Sequence, residues 1–312
     1  MSLVIRSYKK NLLKRYDKDG AIPYLSYQDF PGLHFEENSF INSVGTKISY
    51  FYYNYDNPKP NKVVVFCHGI GPGHTAYLAE IEVLCKNGYK VLTLDYTGCD
   101  RSGGEEMDSM NTPTRDVIEL LRHLNLKDEI ILIGHSLGGY TALNVINKLD
   151  FIHKAVVISG FISLKYEAKT LAKLFAFANE ILKYEKKTNP EYFGIDNISY
   201  LKTTTDKLLF IQSKDDFLVD YKTGLKEVES FNNPHITCVS EEGKKHNPTY
   251  TKEAVELMTK TINEYNSLIN NKKLDTLEKR QEFFKDITAF DMTVQDPRIT
   301  KIIITFLEDE KR

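Results

Sequence analysis

The sequence predicts an α/β protein built on a mostly parallel, doubly wound sheet of about eight strands. Two observations predict it. Short runs rich in Val, Ile, Leu and Phe recur along the chain, and segments with helical periodicity separate most of them. The runs are continuously apolar rather than alternating, as is typical of strands covered by helices on both faces. They are Val63–Cys67, Val91–Leu94, Ile130–Ile133, Ala155–Ile158, Leu208–Ile211 and Ile236–Val239.

The first strands and the helices follow from the same periodicity. Lys47–Tyr55 alternates polar and aromatic residues, and with the preceding Leu33–Glu36 it predicts an antiparallel pair at the start of the sheet. Thr112 is expected to cap the second of three predicted helices, with Pro113 at its first position. These helices are Tyr77–Asn87, Thr114–Leu124 and Gly139–Leu149.

Two segments depart from the alternation of strand and helix. Phe161–Thr205 is a long insertion between two strands and contains the amphipathic run Tyr166–Lys183. Because it follows a strand end, we expect it to form a small helical cap over the carboxyl edge of the sheet. The candidate core is then residues 1–160 and 206–312, with the cap at residues 161–205.

The second departure is a C-terminal extension that begins near residue 270. Lys252–Asn270 predicts the last helix of the core, and the charged segment Lys272–Lys285 has a helical pattern. Ile299–Glu308 contains an apolar run that predicts an added helix or strand. We expect this run to pack on the core.

Composition excludes several classes of function. The 312 residues carry a net charge of −2, so no positive field favours nucleic acid. The N-terminal MSLVIRSYKKNLLKRY lacks the apolar core of a signal peptide, and no run approaches a membrane span, so no stable membrane insertion is expected. The alternation of basic residues and leucines in this N-terminal segment predicts a solvated first helix, with weak membrane contact as the alternative. Four widely spaced cysteines without metal-binding spacing predict reduced thiols in a cytoplasmic protein.

The stretch EIILIGHSLGGYTAL, Glu129–Leu143, places a serine where a buried strand gives way to a helix. Residues 134–138, GHSLG, fit the pattern G-x-S-x-G, in which the serine occupies a strained turn whose crowded backbone excludes side chains two residues away. The free N–H groups of the following helix face the reaction centre. This context favours a nucleophile at Ser136 over a merely tight turn.

A serine nucleophile needs a general base at the same edge of the sheet. Three histidines follow Ser136, and two of them, His153 and His235, precede predicted strands and therefore lie at the opposite edge. A strand of five residues spans roughly 17 Å, too far for His235 to reach the serine. His246 follows the Ile236–Val239 strand in a loop and is the predicted base.

The acid that orients the base is expected after another strand at the same edge. The Leu208–Ile211 strand is followed by Asp215 and Asp216, and either gives the chain order Ser, Asp, His. The residues alone leave both open.

With these motifs in order, the chain resembles the α/β-hydrolase superfamily, and more narrowly its carboxylesterases, lysophospholipase-like proteins and S33-type aminopeptidase-like proteins. The resemblance covers roughly Lys47 to Leu257. Four motifs carry it: the His68-Gly69 pair after a strand, the turn at Ser136, an acid loop of the form G-x-x-D-x-x-V, and a late G-x-x-H. The family's usual D-x-R-G-x-G-x-S is altered here, at residues 95–102.

The resemblance also assigns roles around the serine. The acid loop reads SKDDFLV over residues 213–219, a register that favours Asp216 over Asp215, and GKKH over residues 243–246 matches the histidine loop. The family places one oxyanion donor just after His-Gly, which is the backbone N–H of Ile70, and the second is that of Leu137. Candidate pocket residues complete the set: His74, His135 and Phe175.

The activity implied by the resemblance is acyl transfer to water on Ser136, His246 and Asp216, with no metal or organic cofactor. An apolar cap favours a small to medium acyl or aryl carboxylic ester as the small-molecule substrate. An amidase, thioesterase, aminopeptidase or acyltransferase on the same triad, and a non-catalytic ligand-binding member of the fold, are the alternatives. In the sequence, no carboxylate stands out that would hold the free amine of a peptide substrate.

Overall fold

A computed structural model describes residues 2–172 and 175–309. Eight strands form one sheet in the spatial order β1-β2-β4-β3-β5-β6-β7-β8. The strands are β1 (His34–Ile41), β2 (Lys47–Asn54), β3 (Lys62–Cys67), β4 (Lys90–Leu94), β5 (Glu129–His135), β6 (Lys154–Ile158), β7 (Lys207–Ser213) and β8 (Ile236–Glu241). β2 pairs antiparallel with β1 and with β4, and the six strands β3 to β8 run parallel to one another. The predicted sheet is confirmed.

The parallel strands are buried on both faces, which explains why their sequences do not alternate. Val64 and Val65 are successive residues of β3, so they face opposite sides of the sheet, and both are fully buried. Val65 lies in register with Leu92 of β4 and Leu132 of β5. Because these strands all point the same way, the loops that follow them meet at one edge of the sheet.

Helices cover both faces of the sheet. The α-helices of the described residues are α1 (Leu3–Tyr8), α2 (Leu78–Lys86), α3 (Thr112–Leu124), α4 (Leu137–Lys148), α5 (Leu164–Ala172), α6 (Phe175–Thr188), α7 (Asn197–Thr203), α8 (Leu225–Ser230), α9 (Lys252–Asn270), α10 (Leu277–Phe284), α11 (Ala289–Met292) and α12 (Pro297–Glu308). α3 and α4 pack on one face, through residues such as Val117 and Val145. α2 and α12 pack on the other, through Ile81 and Ile303.

The start of α3 differs from the prediction. The helix begins at Thr112 itself, and Asn111 precedes it without a side-chain capping bond. The Asn111 amide is engaged elsewhere: it donates to Glu185 and accepts from the Tyr140 hydroxyl, each at 3.1 Å. These contacts to distant residues displace the local cap, so Thr112 is the first residue of the helix and Pro113 the second.

The N-terminal helix is not solvated, which corrects the expectation from its basic residues. Ile5, Tyr8 and Leu13 are buried in a cluster that includes Ala178 and Ile181 of α6. The cost of burying a tyrosine hydroxyl is offset by a hydrogen bond, because Tyr8 donates to Glu185 at 2.7 Å. The sequence pattern identified the helix but not the insertion on which it packs.

The insertion and the extension are both helical. The described part of the amphipathic run in the insertion is helical and lies within α5 and α6. The last apolar run is the helix α12, whose Ile299, Ile303 and Leu307 are buried against the sheet. Within residues 2–172 and 175–309, no helix combines the length and the apolar character needed to cross a membrane.

Candidate active site

Ser136 lies between β5 and α4 with φ 58° and ψ −121°, a conformation that residues other than glycine rarely adopt. The glycines two residues before and two residues after Ser136 lie where a side chain would not fit. A Cβ on Gly134 would stand 2.1 Å from the carbonyl oxygen of Gly138, and a Cβ on Gly138 would stand 1.9 Å from that of Cys67. The Ser136 N–H donates to the carbonyl of Ile158 at 2.8 Å, which fixes the turn to the neighbouring strand β6.

The His246 side chain is held by Asp216. Its Nδ1 lies 3.0 and 2.9 Å from the two carboxylate oxygens, and both residues are buried. One carboxylate oxygen also accepts the N–H groups of Leu218, at 2.9 Å, and Val219, at 3.1 Å. A carboxylate only accepts hydrogen bonds, so the Asp216 contact places the imidazole proton on Nδ1 and leaves Nε2 as an acceptor.

His246 Nε2 is buried, and among the residues that the structure describes it bonds to no partner. The imidazole packs on the ring of His135, with 4.7 Å between the ring centroids, so it lies beside the residue that precedes Ser136. The bond between a nucleophile and its base often forms fully only when substrate is bound. An unpaired basic nitrogen next to the serine turn is therefore the arrangement that proton transfer requires.

Asp215, the alternative acid, occupies a different position. It is exposed, and its carboxylate accepts the Gly243 N–H at 2.9 Å and the Ser213 hydroxyl. Asp215 thus connects the acid loop to the histidine loop at the surface, whereas Asp216 contacts the imidazole.

The loop after β3 lies against Ser136. A Cβ on Gly69 would stand 3.2 Å from the Cβ of Ser136. Burial lowers the pKa of His68 to about 4, so its ring is neutral. Its Nδ1–H donates to the Gly69 carbonyl at 2.7 Å, and its Nε2 accepts the Tyr96 N–H at 3.4 Å. Because the peptide group is planar, the bond to the Gly69 carbonyl also fixes the direction of the Ile70 N–H.

The two predicted oxyanion donors are both available. Leu137 is the first residue of α4, where backbone N–H groups have no acceptor within the helix. In the described part of the chain, no acceptor bonds to the N–H of Leu137 or Ile70. The start of α4 and the loop after β3 thus each have one backbone N–H without an acceptor among the described residues.

Comparisons with known proteins show what this chain resembles. A family model described as "Serine aminopeptidase, S33" matches residues 58–197. The chain is 30% identical over 165 residues to a proline iminopeptidase of Saccharolobus solfataricus, which is 49% of this chain and 53% of that protein. It is 27% identical over 144 residues to a putative esterase/lipase of Haemophilus influenzae, 44% of this chain and 50% of that protein. The matches span about half of the length of these curated relatives.

Solved structures share the fold over most of the chain. A Pyrococcus furiosus esterase covers 88% of this chain and 98% of its own, with a TM-score of 0.58 at 22% identity. The esterase Est1E of Butyrivibrio proteoclasticus, solved with ferulic acid, covers 72% and 96%, with a TM-score of 0.55 at 18% identity. At these identities the likeness shows the fold. The chain has the α/β-hydrolase fold. The sheet order and the serine turn described above are typical of that fold.

His135 links three parts of the site. Burial, followed by the neighbouring His246, lowers its pKa to about 3, so the ring is neutral. Its Nε2 donates to the backbone carbonyl of His246 at 2.7 Å, which leaves Nδ1 to accept the Tyr77 hydroxyl at 3.0 Å. Both ring nitrogens are thus engaged within the protein. The position of His135 makes it a residue that holds the histidine loop rather than one that faces substrate.

The structure does not place the other two predicted pocket residues, His74 and Phe175, in the site. His74 is buried against the ring of Phe51, and its two ring nitrogens lie 2.8 Å from the Asp95 carboxylate and 2.8 Å from the Tyr53 hydroxyl. The structure therefore does not bring His74 into the site. Phe175 is the first residue of α6, and its side chain lies outside the described part of the structure.

Sequence reasoning missed a carboxyl group in the insertion, residues 161–205. Glu167 of α5 is only 7% exposed. Burial, and then the nearby carboxylates of Asp216 and Asp220, raise its pKa to about 7. No lysine or arginine in the described residues forms an ion pair with it. The available signal was an acidic residue on the apolar side of an amphipathic segment, next to Leu164 and Ala168.

The role of the C-terminal extension was also missed. Lys244, two residues before His246, is 2% exposed, and its ammonium pairs with Glu241 at 3.2 Å and with Asp296. Backbone bonds continue the contact: Asp296 N–H donates to Thr249 at 2.8 Å. The C-terminal extension thus packs along the outer side of the loop that carries His246.

Proposed function

We propose that this α/β hydrolase is a serine esterase that cleaves uncharged carboxylic esters through an acyl-enzyme on Ser136. One observation carries the proposal. His246 has its Nδ1 held by the buried carboxylate of Asp216, while its Nε2 is buried, unpaired and adjacent to the serine turn. A ligand-binding member of the fold has no use for a base oriented in this way beside a strained serine.

In the proposed reaction, Ser136 Oγ bonds to the ester carbonyl carbon while its proton moves to His246 Nε2. The carbonyl oxygen takes up the π electrons and is stabilised by the N–H groups of Ile70 and Leu137, each such donor contributing roughly 10²–10³ in rate. Asp216 stabilises the imidazolium, which then protonates the departing alcohol as the C–O bond breaks. Water adds by the same route, releases the carboxylic acid and restores the Ser136 hydroxyl.

Residues 161–205 act as a cap in this proposal, on a core of residues 1–160 and 206–312 with its helical extension. Leu164 and Ala168 of α5 pack in one cluster with Leu137, an oxyanion donor, and Val219 of the acid loop. This cluster supports a cap that excludes water beside the reacting carbonyl.

The proposal is tested by labelling with a fluorophosphonate, which reacts only with an activated serine. We expect the intact protein to gain one phosphonyl group, and peptide mapping to place it on Ser136. Labelling is expected to fall when the protein is first incubated with an ester substrate. Folded protein that takes up no label, or takes it up at another residue, would refute the esterase mechanism.

A specific observation favours a second function, hydrolysis of substrates that carry a free amine. Glu167 is a buried carboxyl group close enough to Asp216 for their charges to interact, and it has no cationic partner within the described residues. A protonated amine of the substrate would supply that partner. The relatives named for proline iminopeptidase and serine aminopeptidase give this candidate additional weight.

Glu167→Gln separates the two functions. If Glu167 binds an amine, the variant is expected to lower kcat/KM for an amino-acid p-nitrophenyl ester by about 10- to 100-fold, the loss of one charged hydrogen bond. The N-acetyl derivative of the same ester is expected to be unaffected. The wild type should also favour the free amine more as pH rises through about 7, because the carboxyl group of Glu167 ionises there.

The matched control is Glu191→Gln, which removes an exposed carboxylate from the same insertion. It is expected to change neither ester. Equal effects of Glu167→Gln on the free and acetylated esters would exclude amine recognition, as would the absence of any effect.

A further inference from the structure

A cavity of about 200 Å³ lies beside the loop that carries His246. Four parts of the chain enclose it: residues 22–25 before β1, residues 75–79 at the start of α2, Asn247 and Tyr250 of the histidine loop, and the helices α9 and α11. The wall from α11 belongs to the C-terminal extension. The proposed mechanism makes no use of this cavity.

The wall of the cavity is suited to an uncharged ligand. None of the described residues that line it carries a charge, and most are apolar. Apolar members of the wall are Ile22, Leu25, Ala79, Met258, Ile262 and Met292.

Tyr77 joins the cavity to the candidate active site. It lines the cavity, while its hydroxyl donates to His135 Nδ1. A Cβ added at Gly69 would stand 2.5 Å from the Tyr77 hydroxyl oxygen and 3.2 Å from the Cβ of Ser136, so both groups lie against the same glycine. Asn247, another wall residue, directly follows His246. Tyr77 and Asn247 therefore connect the wall of the cavity to the serine turn and to the loop that carries the base.

We infer that this cavity binds an uncharged apolar group of the ester substrate, an inference that rests on the proposed esterase function. A cavity of about 150 Å³ is large enough to hold benzene, so this one accommodates a phenyl ring or a short alkyl chain of similar or slightly larger volume. The C-terminal extension, through α11, thus helps to determine which esters bind.

The test is a pair of substitutions that change the volume of the cavity in opposite directions. Ala289→Leu, on α11, is expected to fill it and to lower kcat/KM for p-nitrophenyl hexanoate relative to the acetate by at least about 10-fold. Met258→Ala, on α9, is expected to enlarge it and to shift the preference towards longer chains. A second series of acetate esters with alcohols of graded length shows whether the acyl or the alcohol part occupies the cavity.

Phe290→Ala is the matched control, because Phe290 is on the same short helix as Ala289 but is exposed and does not line the cavity. It is expected to leave both chain-length profiles unchanged. Profiles of Ala289→Leu and Met258→Ala that match the wild type in both series would overturn the inference. Fluorophosphonate labelling of Ser136 reports separately on the esterase proposal, so the two failures are distinguishable. If either variant fails to fold, Ile262→Ala, on α9, enlarges the same cavity in its place.

Discussion

Replacing Ser136 with alanine is expected to lower kcat for ester hydrolysis by roughly 10⁵–10⁶, because the acyl-enzyme cannot form. The remaining activity would come from the oxyanion donors of Ile70 and Leu137, which the substitution leaves in place. We expect KM or the affinity for a non-hydrolysable ester analogue to stay near the wild-type value. Hydrolysis of p-nitrophenyl esters and equilibrium binding of the analogue measure the two quantities.

The conformation of Ser136 supplies a matched variant. With φ at 58°, alanine retains the backbone strain of serine, whereas glycine removes it. Ser136→Gly is therefore expected to be as inactive as Ser136→Ala but about 1 kcal/mol more stable, after allowing for the greater freedom of glycine in the unfolded chain. Thermal unfolding compares the two. Residual hydrolysis near the wild-type rate in either variant would show that another residue is the nucleophile.

The local pattern was sufficient to predict the sheet and the serine turn. Short, continuously apolar runs separated by helical segments are typical of strands covered on both faces. Glycines at 134 and 138 are needed because the carbonyl oxygens of Gly138 and Cys67 occupy the space of any Cβ. The strand-edge argument also selected His246, since His153 and His235 precede β6 and β8. These conclusions depend on chain direction and on the distance along a strand, which the sequence contains.

Other features depend on contacts between distant segments, which a single sequence does not contain. The N-terminal helix is buried because Glu185, more than 170 residues away, accepts the Tyr8 hydroxyl. The start of α3 moves because Asn111 bonds to the same carboxylate. Glu167 is unusual only once α5 folds over the acid loop and its charge approaches Asp216. In each case a polar side chain meets a partner that local propensity cannot indicate.

The second large effect is expected at the acid. Asp216→Asn is expected to lower kcat by about 10⁴, because an amide neither stabilises the imidazolium nor enforces the proton on Nδ1. KM should change little, since Asp216 is buried behind His246. Asp215→Asn is the matched control: it removes the neighbouring charge, but its side-chain oxygen still accepts the Gly243 N–H. For this control we expect a lower melting temperature and at most about a 10-fold loss in kcat, since exposed contacts contribute little.

The comparison of these two aspartates tests the assignment of the acid independently of the serine. Asp216 contacts the imidazole at 2.9 Å, whereas Asp215 reaches only Ser213 and the histidine loop at the surface. A larger loss in Asp215→Asn would mean that the acid loop rearranges when substrate binds. Equal losses in both variants, with a matching fall in melting temperature, would mean that the two residues act only through the stability of their loop. A large loss confined to Asp216→Asn, in a variant that still unfolds cooperatively, is what orientation of His246 by a buried carboxylate requires.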